Sequence, residues 1–160
     1  MHTLVVPGLD TLRQWLDELG ISFFECDTCQ ALHLPHMQNF DGIFDAKIDL
    51  LDNVILFSAL AEVKPSGLLA LSADLSSINA SSLTVKAFLD IQDDNLPKLV
   101  VCQSLAVGAG VALEQFAWFF RQSEEKISMV ILEASAHELR YKPEEEEEQP
   151  KEEIQYHFLH

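Results

Sequence analysis

The stretch Val111–Leu139, VALEQFAWFFRQSEEKISMVILEASAHEL, runs 29 residues without a glycine or proline. Leu113, Phe116, Ala117, Phe120, Ile127, Ile131 and Ala134 recur at helical spacing and share one face, widened by Ala112, Phe119 and Val130. The spacing predicts one helix over 111–139. At 1.5 Å per residue it is about 43 Å long, while a compact domain of this chain length is about 40 Å across. Such a helix crosses the whole body and needs a sheet packed along it. Glu124 falls near the middle of the stripe, and Gln122–Lys126 is entirely polar. A helix that leaves the body there, or one that breaks and yields a strand over Ile127–Leu132, is the alternative. Glu124 itself reads as a partly exposed kink, or as a buried acid paired with Arg121 or Lys126.

Ahead of that helix the pattern alternates between periods of 3.6 and 2. Asp10 or Thr11 can cap a first helix through Leu19, with Leu9, Leu12, Trp15, Leu16 and Leu19 inward and Gly20 as its stop. Two short strand-like runs follow, Ser22–Cys26 and Gln30–Leu34. Phe44, Ala46, Ile48 and Leu50 alternate with Asp45, Lys47 and Asp49, which predicts a strand with one wet face. Asp52–Asn53 is turn chemistry, and Val54–Ala61 is apolar enough for a central strand covered on both faces. Leu68–Ser82 carries a weak helical signal. A second hairpin pairs Leu83–Ile91 with Lys98–Ser104, Pro97 standing at the start of its second strand. Runs of hairpin-joined strands between helices predict an α+β fold: an antiparallel sheet flanked by helices in the order α-β-β-β-β-α-β-β-α.

Composition narrows the function classes. At 160 residues one domain is the default, expected over 1–142, with 143–160 an acidic and flexible tail. The formal net charge is −16, of which the tail carries −6. An acidic body without a basic stripe repels nucleic-acid phosphate and anionic lipid, so neither nucleic acid nor membrane is an expected partner. The start MHTLVVPGLD lacks the pattern of a secretory signal, and the three cysteines are an odd number. Both point to reduced thiols in the cytoplasm.

The motifs are few. Cys26-Asp-Thr-Cys29, extended to His33 and His36, supplies four zinc-type ligands. Eleven residues of hairpin are cramped for a tetrahedral site, and Asp27 is expected to raise a neighbouring thiol's pKa, so structural thiols are preferred over a metal or redox site. No cofactor is expected. His33 alternates with Leu32 and Leu34, which points it to water; His137 ends the long helix. Gly108-Ala-Gly110 reads as a flexible connector. Phe23 and Phe88 are candidate partner-binding residues if they meet across the sheet as an apolar patch.

LVVPGLDTLRQWLDELGISFFECDTCQALHLPHMQNFDGIFDAKIDLLDNVILFSALAEV closely resembles the enterobacterial YbjN family, as do SSLTVKAFLDIQDDNLPKLVVCQSL and EQFAWFFRQSEEKISMVILEA. The resemblance covers most of residues 4–135; residues 136–160 depart from it except for Phe158-Leu159-His160. It implies a fold similar to class I type III secretion chaperones, a curved antiparallel sheet with helices on one side. It also implies a sensory-transduction regulator influencing exopolysaccharide production, motility, biofilm and virulence. It carries no catalytic residues. The expected function is therefore non-enzymatic regulation through a protein partner that the sequence does not identify, as monomer or homodimer. A chaperone-like binder of an effector segment and a zinc or thiol sensor built on Cys26 and Cys29 are the alternatives.

Overall fold

The computed structural model describes residues 3–136. Its elements are α1 (Leu9–Glu18), β1 (Phe24–Glu25), β2 (Leu32–His33), β3 (Asp45–Leu51), β4 (Val54–Glu62), α2 (Leu68–Ser81), β5 (Val85–Asp90), β6 (Lys98–Ala106) and α3 (Leu113–Ala136). Short 3-10 turns lie at Pro35–Asn39 and Pro65–Gly67. The fold is α+β, in the element order read from the sequence. Among the described residues the sheet has six strands, ordered β1-β2-β3-β4-β6-β5, and every pair is antiparallel.

The helix-covered face of the sheet holds the core. Ile55, Phe57, Ala59 and Ala61 of β4 are fully buried, as are Phe116, Ile127 and Ile131 of α3, with Phe120 barely exposed. Phe120 meets Phe57 edge-on at 5.1 Å between ring centroids, and Phe116 lies 5.5 Å from Trp15 of α1. Alanines at 59 and 61 let the helix come close. Asp52 and Asn53 both take positive φ (47° and 61°) at the β3–β4 turn, the geometry of the tight hairpins that match strand twist.

The long helix is continuous through the polar segment, but its start needs correction. Val111 is not helical: it bridges Val5 through hydrogen bonds of 2.8 and 3.0 Å. Ala112 then accepts the first helical bond from Phe116, and its own N–H donates to the Gln115 side chain at 2.7 Å. Residues 137–139 and the tail 143–160 lie outside the described residues. The seam runs through Ser123, not Glu124. Ser123 is fully buried and returns its hydroxyl to the Phe119 carbonyl at 2.7 Å.

Other boundaries shift for identifiable reasons. Gly8, not Asp10 or Thr11, precedes α1; Thr11 sits in the first turn and its hydroxyl accepts the Gly8 N–H at 3.2 Å. Leu83 is fully exposed and outside β5, because Ser82 Oγ accepts the Val85 N–H at 3.1 Å and turns the chain there. Gly108–Gly110 is a defined turn closed by Gly110 N–H to the Val107 carbonyl at 2.9 Å, with Gly110 at φ 94°. Phe44 is half exposed, because Ile43 takes the core position.

Edge strand β5 is blunted by α2. The Asn79 side chain accepts the Ala87 N–H at 2.7 Å and donates to the Ala87 carbonyl at 3.0 Å, as a seventh strand would. Asn79→Ala leaves both part-buried groups unpaired and is expected to cost about 1–3 kcal/mol in denaturant unfolding, with concentration-dependent association through the freed edge. Phe120→Ala opens a cavity against Phe57 and is expected to cost about 3–5 kcal/mol. The exposed neighbour Trp118→Ala is expected to stay within about 1 kcal/mol in the same assay.

Candidate functional site

The helix-free face of the sheet is read directly from strand register. Residues directly opposite in antiparallel strands share a face, so Lys86, Cys102, Ser58, Lys47, His33 and Phe24 form one row from edge to edge. The next row sets Phe88, Val100, Leu60 and Asp45 side by side. The wet face expected of β3 lies on this side, beside the β4 strand that the sequence reads as covered on both faces. β4 and β6 are apolar on both faces, and Val100 and Cys102 are buried there. Lys86 lies over the Phe88 ring at 5.7 Å and Lys98 over Phe44 at 5.5 Å, so long side chains drape the centre.

At the β1 end of this face the β1–β2 hairpin gathers its chemistry. Arg13 of α1 reaches Glu25 at 2.6 Å and also pairs with Asp10, which ties the hairpin to the first helix. The turn Asp27–Thr28 brings Cys26 and Cys29 together, and β2 carries His33 back beside them. One ligand atom from each of Cys26, Cys29 and His33 lies within 4.8 Å of the others. Cys29 Sγ is 3.2 Å from His33 Nε2, and His33 Nδ1 is 3.2 Å from Asp45 Oδ1. The Phe24 ring stacks on the imidazole at 4.9 Å and 13°. His33 therefore does not stand free in water: its side chain is 12% exposed.

The thiols differ electrostatically. Cys26 is lowered from 9.0 to about 6 by the Cys29 thiol, then by Thr28 and His33. Cys29 is correspondingly raised by Cys26. The expected upward push of Asp27 on Cys26 is not what dominates. Burial opposes protonation of His33, but its bonds to Asp45 and Cys26 outweigh it and raise its pKa. On the same face, burial pushes the Cys102 thiol up.

His36 is not part of this cluster. Pro35–Asn39 turns it to the helix side, where Nε2 is 3.4 Å from Glu124 Oε2 and the ring stacks near Phe120. Glu124 thus pairs with His36, neither with Arg121 nor Lys126. Phe23 and Phe88 do not meet either: Phe23 precedes edge strand β1 and packs on the core, while Phe88 is on the opposite edge, 42% exposed.

A groove that sequence reasoning missed lies beside the first half of α3, with a volume of about 900 Å³. Leu4, Leu105, Trp118 and Phe119 line it, and Trp118 is 65% exposed. Its polar side is a chain of bonds, Lys126 Nζ to Thr84 Oγ1 at 3.2 Å and Thr84 to Gln103 at 3.1 Å. β5 begins opposite Gln103, so Ser104–Ala106 of β6 runs on past it along the groove. Trp118 stands off the apolar seam by one helical position, which was the available signal.

These features define an α+β protein with helices on one face of an antiparallel sheet, a thiol–imidazole cluster on the other, and a groove with an exposed tryptophan at the sheet's flank. The chain belongs to the YbjN family: residues 8–149 match the family model described as "Putative bacterial sensory transduction regulator". It is 82% identical over 139 residues to YbjN of Escherichia coli K12, covering 87% of this chain and 88% of that protein, and equally similar to YbjN of Shigella flexneri. The crystal structure of E. coli YbjN, described as "a putative transcription regulator", matches with a TM-score of 0.85 at 81% identity, over 87% of this chain and 99% of that one. Among the described residues no helix is long and apolar enough to cross a membrane.

Burial raises the Glu124 carboxyl above 4.5, and the His36 interaction pulls it part of the way back. Glu124 is therefore expected to titrate above 4.5 by carboxyl NMR, and higher still in His36→Ala. Because the folded pKa is raised, this carboxyl's contribution to stability is present below the unfolded value and lost as pH rises through the folded one. Glu124→Gln removes that dependence, so its stability relative to the parent should grow as pH rises from the unfolded carboxyl range through the raised folded pKa.

Proposed function

We propose that the chain is a non-catalytic cytoplasmic regulator that works by holding an extended apolar segment of a protein partner in the Trp118 groove. The observation that supports it is the exposed tryptophan on the groove wall, with β6 extending past its neighbour along the floor. Tryptophan is among the residues most enriched as anchors at the centre of protein interfaces. A strand running beyond its partner offers main-chain groups to an added segment. The formal charge of −16 favours basic residues flanking that segment and disfavours direct contact with DNA, so any effect on transcription passes through the partner. The family resemblance extends this reading to exopolysaccharide, motility, biofilm and virulence as its outputs. The working unit is a domain over 1–142 with the acidic segment 143–160 appended.

A photo-crosslinker placed at Gln122 on the groove wall should capture one protein repeatedly, and the same probe at exposed Asp17 should not. Trp118→Arg should lose that capture by at least about tenfold and lose regulatory output in a complemented deletion strain, with the unfolding midpoint unchanged. Full output from a folded Trp118→Arg chain would overturn the reading. Capture confined to unfolded secretion effectors would replace it with the chaperone alternative.

A further inference from the structure

We propose that Cys26, Cys29 and His33 form a zinc site whose imidazole is positioned by Asp45. The donor set is two sulfurs and one imidazole nitrogen, the combination that selects zinc among the common divalent cations. The geometry is close to what the ion requires. Zinc bonded at about 2.3 Å to sulfur and about 2.0 Å to nitrogen holds tetrahedral ligands about 3.5–3.8 Å apart. All three ligand atoms already lie within 4.8 Å of one another, and Cys29 Sγ and His33 Nε2 are at 3.2 Å. Movements of about 1 Å in an edge hairpin complete the triangle.

The orientation of His33 is the second observation, independent of the spacing. Its Nδ1 faces Asp45 Oδ1 at 3.2 Å, which leaves Nε2 directed at the thiols. A carboxylate on one ring nitrogen fixes the tautomer that coordinates through the other. Phe24 stacked on the ring at 4.9 Å removes its remaining freedom. The support comes from three strands: β1 places Phe24, β2 places His33, and β3 places Asp45. On binding, the thiols and the imidazole release to solvent whatever protons they carry, two Zn–S bonds and one Zn–N bond replace bonds from zinc to water, and nothing is oxidised. Cys26 and Cys29 are only partly buried, so the fourth position opens to solvent and takes a water in the isolated chain. His36 is held on the other face by Glu124 and is not a ligand.

The test is a zinc titration of the full, reduced, metal-free chain against a chromophoric chelator, with Co²⁺ as a spectroscopic substitute. One equivalent should bind, and the cobalt form should show a thiolate charge-transfer band with tetrahedral ligand-field bands. Asp45→Asn should weaken zinc by about 10–100-fold with the stoichiometry unchanged, a graded loss that needs no change in the ligands themselves. The Cys26→Ser, Cys29→Ser double variant should lose the thiolate band and at least about 100-fold in affinity, and His36→Ala should bind as the parent does. Circular dichroism checks that each variant is folded. Less than about a tenth of an equivalent bound, or zinc held equally well by the folded double variant, would overturn the site. Parent affinity in Asp45→Asn would overturn the positioning role. Trp118→Arg should leave the titration unchanged, so failure here and failure of the groove reading are separate results.

Discussion

The contact that everything else accommodates is the seam between α3 and β4. Phe57 projects from the middle of the sheet onto Phe120, whose ring lies 6.1 Å from that of Phe116 one turn earlier, while Ala59 and Ala61 leave room for the helix backbone to approach. Each buried phenylalanine contributes about 1.5–3 kcal/mol of transfer free energy, so the three together, linked through Phe120, outweigh any polar interaction on the surface. With that seam set, α1 closes one end through Trp15 on Phe116, and α2 covers the β5 edge through Asn79. The polar interruption in α3 is absorbed because Ser123 satisfies itself within the helix, and Glu124 is turned aside to His36.

One face of the sheet is spent on this core, which leaves chemistry to the other face and to the edges. The β1–β2 hairpin is the least supported part of the sheet, with two residues in each strand, and its loop residues carry the thiols. Regions with few buried contacts are those that open and close at low cost. Movement there need not disturb the seam. The chain from His33 to His36 nevertheless passes directly from the thiol cluster to the flank of α3, since Pro35–Asn39 follows β2 and His36 meets Glu124. A short, stiff connection of this kind couples the hairpin's position to the helix by covalent geometry.

The order and type of elements were legible because burial on one face imposes periods of 2 and 3.6 on most of the sequence, and the doubly apolar β4 is bounded by turn residues. Which strands become neighbours was not legible. The order β4-β6-β5 puts Phe88 at one edge and Phe23 near the other, and no local pattern encodes that distance. Register explains the partial success with His33. Alternation correctly puts it on the helix-free face, but Asp45 from β3 and Phe24 from β1 cover it there, and both arrive from neighbouring strands. Glu124 was misplaced by one position. Ala112 and Phe119 are buried while Leu113 is only partly so, which centres the stripe nearer Ser123 than Glu124. The groove was invisible because it is made by what β5 does not cover.

The two surfaces set apart here differ in what can change them. The Trp118 groove is walled by α3 and floored by β6, both anchored in the core, so its shape varies little with conditions that leave the protein folded. The Cys26–Cys29–His33 hairpin is at the opposite edge of the sheet, partly exposed, with the Cys26 thiol lowered to about 6. On the two proposals above, one sheet carries a partner groove at one flank and a metal-binding hairpin at the other edge. The link between them runs through α3, since the His36–Glu124 contact lies one turn beyond Phe120, and Trp118 projects from the same helix. Pro35–Asn39 thus joins the hairpin to the flank of the helix that carries Trp118, and the two surfaces share α3 as a common neighbour.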